Sequence, residues 1–120
     1  MMVVQQRDIV LLRFPFSDLQ GSKVRPALVI SNDSYNSKSG DFIAVAITSN
    51  LKTRGYSIPL TNEDLQEGKL IVNSKIKPDK IFSANKKLVR MNIGKAKNAI
   101  HQKVIGSISE IIGLAADSAS

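Results

Sequence analysis

Phe14-Pro-Phe-Ser-Asp-Leu-Gln-Gly-Ser-Lys-Val-Arg-Pro-Ala-Leu-Val-Ile-Ser31 reads as a strand end, a polar connection and then a buried strand. Apolar Ile9 to Phe14 leads in, residues 17–23 are too polar to bury, and Ala27 to Ile30 leads out. Pro15 stops the first ladder because it has no N–H to donate, and Gly21 is the flexible point of the connection. Arg25 stands at the mouth of the second strand. Pro26 restricts its predecessor to extended backbone, so the pleat directs the arginine side chain. A guanidinium held beside a loop is positioned to meet an anion, although an arginine at a strand edge is more often simply solvated.

Outward from this stretch, Ile9-Val10-Leu11-Leu12 is apolar at every position and belongs inside a sheet. The second strand alternates Arg25, Ala27, Val29 and Ser31 with Pro26, Leu28 and Ile30. Residues 32–40 read as a polar, turn-rich loop. In the third strand, Phe42 to Thr48, Ile43, Val45 and Ile47 fill one face and Phe42, Ala44, Ala46 and Thr48 the other. The bulky face is the core face. The small one leaves room for the C-terminal helix, a second subunit or a ligand. Thr48-Ser49-Asn50 closes the strand with three hydrogen-bonding side chains, residue types that commonly end strands by bonding nearby backbone.

Tyr56 to Leu60 is a short edge strand because of Pro59, and residues 61–68 are a brief helical turn or loop. Leu70-Ile71-Val72 begins a strand that continues through Ser74 to Phe82 with a bend at Pro78. Lys86 to Arg90 is a last short strand, and Ile93-Gly94 turns into a helix. That helix is expected from about Ala99 to Leu114, with Asn98 as N-cap and Gly113 as its stop. Ile100, Val104, Ile108 and Ile111 form its apolar stripe, widened by Ile105 and Ile112. Gly106 in its interior suggests a close approach to the sheet. His101 lies at the stripe's edge, where a structural role outweighs a catalytic one. Five to seven short strands and one terminal amphipathic helix predict a mainly β, small α+β fold, a strongly bent antiparallel sheet closing on itself.

The 120 residues make one domain, 1–120, with a loose tail from about 115. The chain has no cysteine, which excludes disulfides and thiolate metal sites and suits a reducing cytoplasm. One histidine leaves no basis for a zinc site or a two-histidine nuclease. No apolar run is long enough for a membrane span, no signal-peptide pattern opens the chain, and no membrane partner is expected. Net charge is +7, and ten of the seventeen basic residues lie between Lys69 and Lys103 with a single acid, Asp79, among them. Such a face can serve solubility alone; as a binding surface it calls for a negative partner, either nucleic acid or an acidic protein segment.

Lys23-Val24-Arg25-Pro26-Ala27-Leu28-Val29-Ile30-Ser31 resembles the Lys/Gln-x-Arg-Pro-x-x-Val-Ile/Leu-Ser signature of the PemK/MazF family of toxin endoribonucleases, and Val45-Ala46-Ile47-Thr48-Ser49-Asn50 resembles it again. The resemblance implies an SH3-like barrel, a homodimer, a cognate antitoxin and cleavage of single-stranded mRNA at short motifs with neither metal nor cofactor. It implies attack of the 2′-hydroxyl on the adjacent phosphate, leaving a 2′,3′-cyclic phosphate and a 5′-hydroxyl. Arg25 would then stabilise the phosphorane, Thr48 would hold the phosphate in line, and Ser49 would add a second hydroxyl. Phe16, Lys23, Asn50, Lys52, Arg54, Ser74, Lys75, Lys77 and Lys80 are the expected RNA contacts, Phe16 by stacking and Ser74 where relatives carry charge. Some relatives have an acid near Asn73 to Lys77; here there is none, which leaves Asp18 and Asp79 as the nearest candidates for a general base. Two alternatives share the fold: a poison of a protein such as gyrase, like the CcdB relatives, and a silent RNA- or protein-binding barrel. Neither needs Arg25 together with Thr48.

Overall fold

The computed structural model describes residues 3–14 and 23–113, and of Phe14 and Lys23 the backbone alone. In chain order the elements are β1 (Asp8–Phe14), β2 (Lys23–Val29), α1 (Asp33–Lys38), β3 (Asp41–Thr48), β4 (Ile58–Leu60), β5 (Leu65–Gly68), β6 (Ser74–Asn85), β7 (Val89–Ala96) and α2 (Asn98–Ile112). The seven strands form one antiparallel sheet in the order β4-β6-β3-β2-β1-β7-β5, curled into a half-barrel. β1 is interior, paired with β2 and β7, as its uninterrupted apolar run requires. β4, with Pro59, is at an edge.

Alternation splits the core in two. Ile9, Leu28, Val45, Ile47 and Ile76 face α2 and bury Ile100 and Val104 against them. Val10, Leu12, Ala27, Val29, Phe42 and Ala44 form the second cluster, which the curled sheet closes with Ala84 and Val89, Val4 joining them and Phe82 and Leu88 packing from the side. The small face of β3 is thus filled from within the chain up to Ala44. The predicted bend at Pro78 is a bulge in β6: Val45 pairs with Ile81 and Ala46 with Lys77, so residues 78–80 have no opposite number.

Several boundaries differ from the sequence reading. Residues 33–38 are helical because Asn32 caps them, its Oδ1 accepting from the Tyr35 N–H at 2.8 Å, while buried Asn36 donates to the Ser31 carbonyl. Leu70 to Val72 is not a strand: Leu70 is buried but Ile71 is wholly exposed. Residues 86–88 make a 3₁₀ turn, and the last strand runs on to Ala96, through the expected turn at Ile93-Gly94. That extension depends on glycine, since a Cβ on Gly94 would sit 2.6 Å from the Glu67 carbonyl oxygen where β5 crosses β7. α2 begins at Asn98, one residue early, with Lys97 at its N-cap. Gly106 has nothing within 4 Å of where its Cβ would be, so it marks no close approach, and Ile105 and Ile112 are exposed, outside the buried stripe.

Candidate active site

β2 and β3 pair Ala27 with Ala46, Leu28 with Val45 and Val29 with Ala44. Carried two residues further, the same register sets Arg25 opposite Thr48, on one face of the sheet. Both line an open cleft of about 590 Å³ between these strand ends and the connection that precedes β6. Ser49 and Ser74 line it too, so four of the expected site residues share one cavity.

The side chains are held by the strands that carry them. Arg25 is exposed at the start of β2, with Leu12 of β1 as its partner on the other side. Thr48 is half-buried at the end of β3, and its Oγ1 accepts from the Asn50 N–H at 3.1 Å. That bond uses the oxygen as acceptor and not the hydroxyl hydrogen. Asn50 in turn accepts from the Lys52 N–H at 3.0 Å. The strand-ending role is thus real for Thr48 and Asn50, and it orients Thr48 at the cleft. Ser74 is buried and donates to the Val72 carbonyl at 3.1 Å, tying down the connection that walls the cavity.

The expected RNA contacts divide. Lys75 stands opposite Thr48 on β6, half-buried beside the cleft. Lys52, Arg54 and Lys80 are exposed, and the first two follow closely on Ser49. Lys77 is not available as an open cation: it is 7% exposed, donates to the Arg54 carbonyl at 2.7 Å and lies 4.0 Å from Asp79. Its ammonium fastens the 50–57 segment to β6. Phe16, and Asp18 as a candidate base, lie outside the described residues, as does the Lys23 side chain. Asp79 does not line the cleft.

Sequence reasoning missed Lys69. It lines the cleft with Arg25, and together they are the ionisable side chains among the described lining residues. Nothing but its charge marked it out, because its place depends on the 69–73 connection, misread as strand. Also missed was the apolar wall, made of Leu11, Val24, Ile71, Val72, Met91 and Ile93. His101 is away from this cleft: it is half-buried, its Nδ1 is buried with no hydrogen-bond partner, and burial, followed by the nearby positive Arg7, pulls its pKa below the usual value.

Residues 5–112 match the family described as PemK-like, MazF-like toxin of type II toxin-antitoxin system. Among solved structures, MazE-MazF (Form-II) from Deinococcus radiodurans superposes with a TM-score of 0.78 at 22% identity, over 95% of this chain and 99% of that one. An endoribonuclease in complex with its cognate antitoxin from a Mycobacterial species gives 0.72 at 17% identity, over 95% and 97%. Mycobacterium tuberculosis toxin MazF-mt6 gives 0.67 at 18% identity, over 87% and 94%. At these identities the likeness establishes the fold. No curated protein sequence matches the chain.

Proposed function

The chain belongs to the PemK-like, MazF-like toxin family of type II toxin–antitoxin systems, and from that premise we propose that it is an endoribonuclease cutting single-stranded RNA at the Arg25–Thr48 cleft. The observation that carries this is the convergence of Arg25, Thr48, Ser49 and Ser74 on one cavity from three separate stretches of chain.

The chemistry follows from the groups present. The ribose 2′-oxygen bonds to the adjacent phosphorus, the bond from phosphorus to the 5′-oxygen breaks, and a 2′,3′-cyclic phosphate forms. One proton leaves the 2′-hydroxyl and one reaches the departing 5′-oxygen. Arg25 offers a planar fork of donors to phosphate oxygens whose charge grows only as the phosphorane forms, so its attraction lowers the barrier more than it tightens substrate binding. The Thr48 hydroxyl hydrogen donates to a non-bridging oxygen and holds the phosphate in line, with Ser49 beside it. Lys69 adds a second positive charge, and Lys75 holds the strand next to Thr48. Neither carboxylate nor imidazole is among the described lining residues, so the group that takes the 2′-proton is sought outside that set, with Asp18 the nearest acid in the motif. Arg25 acts as an electrostatic stabiliser of the phosphorane.

An acidic antitoxin segment is the natural inhibitor of such a cleft, by occupying the same cations. A second copy of the chain is the further partner, supported by the exposed Val24, Ile71, Val72 and Met91 that rim the cleft. Purified protein should cut single-stranded RNA with metal chelated, leaving 5′-hydroxyl ends; intact RNA with folded protein would overturn the assignment.

A further inference from the structure

We propose that a second basic cleft, at the opposite end of β3, is an exosite for the phosphate backbone of the same RNA, several nucleotides from the cut; this rests on the nuclease reading above. The cleft measures about 500 Å³ and is lined by Lys38 at the end of α1, by Lys86 and Lys87 in the 3₁₀ turn, and by Ser37 and Ser39. None of the three lysines is in an ion pair among the described residues. The ion pairs among the described residues are Lys77–Asp79 and Lys95–Asp8. Two acids flank the cleft in sequence, and each carboxylate already accepts a hydrogen bond: Asp33 from the Gln6 N–H at 2.8 Å, Asp41 from the Asn85 side chain at 3.2 Å. Lys38 alone would be explained by the dipole of its own helix. That explanation does not extend to Lys86 and Lys87, whose turn lies on the far side of the cleft.

The strands join this place to the active site. β3 leads from Gly40, in the lining, to Thr48, and its eight residues span roughly 23 Å. β6 runs alongside it and carries Lys75 opposite Thr48, exposed Lys80 at the bulge and Asn85 opposite Asp41, just before Lys86. Lys75 and Lys80, the cations of β6 outside the Lys77–Asp79 pair, therefore lie between the cleavage site and the distal cleft. Evenly charged nucleic acid suits such a track better than a short acidic peptide, which would need only one end of it.

The test compares wild type with the triple variant Lys38→Gln, Lys86→Gln, Lys87→Gln, which keeps stem length and removes charge. Binding of a long 2′-O-methyl RNA, which cannot be cut, is followed by fluorescence anisotropy over roughly 50–200 mM salt. Loss of three phosphate contacts should flatten the slope of log K against log salt by about 2 and weaken binding about 10–10²-fold near 0.1 M salt. Cleavage of a short RNA ending next to the scissile bond should keep its kcat and KM, while KM for long RNA rises. Unchanged affinity and slope in the variant would overturn the exosite, as would a variant that loses poly-glutamate binding and keeps RNA binding. Wild type that binds long RNA more steeply with salt than the triple variant, yet never cuts it, would overturn the nuclease reading and leave the exosite standing.

Discussion

At the scale of single residues, chemistry is decided by what surrounds a group more than by what it is. Arg25 and Arg7 show the contrast. Arg7 donates through Nη1 to the Ala96 carbonyl at 2.8 Å and to Gln66 at 2.9 Å, so its guanidinium ties β1's entrance to β7 and β5. Arg25 is aimed at an open cleft. The sequence offered a reason to separate them, since only Arg25 is followed by proline at a strand start. His101, expected at the stripe's edge, is half-buried and lies away from the cleft. Its depressed pKa, caused first by burial and then by Arg7, sets a sign for pH dependence. The unfolded chain takes up the proton near the ordinary value of about 6.5 and the folded chain lower, so this contribution is complete above pH 6.5 and declines as pH falls below it. The urea midpoint of wild type should therefore drop between about pH 7 and 5.5, and His101→Gln should flatten that drop. An equal drop in the variant would show that other groups are responsible.

At the scale of elements, two glycines that look alike in sequence do different things. Gly68 has φ +84°, and a Cβ there would lie 2.1 Å from the Ile93 carbonyl oxygen, where β5 meets β7. Gly68→Ala combines a left-handed backbone with a clash against backbone that cannot swing away, and should destabilise by about 2–4 kcal/mol. Gly106 faces open space in the middle of α2, so Gly106→Ala should stabilise by about 0.5–1 kcal/mol. Chemical denaturation of the two variants checks both signs, and a stabilised Gly68→Ala would contradict the close approach. Periodicity alone read Gly106 as a contact because it reports which residue is small, and not what lies across from it. The same limit explains residues 69–73. Leu70-Ile71-Val72 has strand composition, but Leu70 is called to the core while Ile71 is left outside, and the Leu70 N–H donates to the Asn62 side chain at 2.7 Å. By contrast β1, β2, β3 and α2 were legible, since each buries a patterned face and the pattern is what burial selects. α1 was missed because its six residues are set by caps, with Asn36 the one residue it buries.

At the scale of the whole molecule, the half-barrel is what makes the cleft. Curling the sheet brings the end of β3, the start of β2 and the approach to β6 to one mouth, and no local pattern states that juxtaposition. The pair Arg25 and Thr48 could be named from the family resemblance; Lys69 and the apolar wall required the fold. The small face of β3, which had suggested a subunit partner, is packed within the chain as far as Ala44, and exposed apolar side chains ring the cleft beyond it. Association through that rim should give a homodimer mass by sedimentation at micromolar concentration, and Ile71→Asp, at a fully exposed position, should weaken it without unfolding the chain. A monomer at that concentration would place the rim's role elsewhere. The central claim is that Arg25 stabilises a breaking phosphodiester, and single-turnover cleavage of single-stranded RNA with metal chelated tests it most directly. Arg25→Ala should lose at least ~10²-fold in rate at saturating RNA while its circular dichroism spectrum stays that of wild type. A variant that cuts as fast as wild type would contradict it.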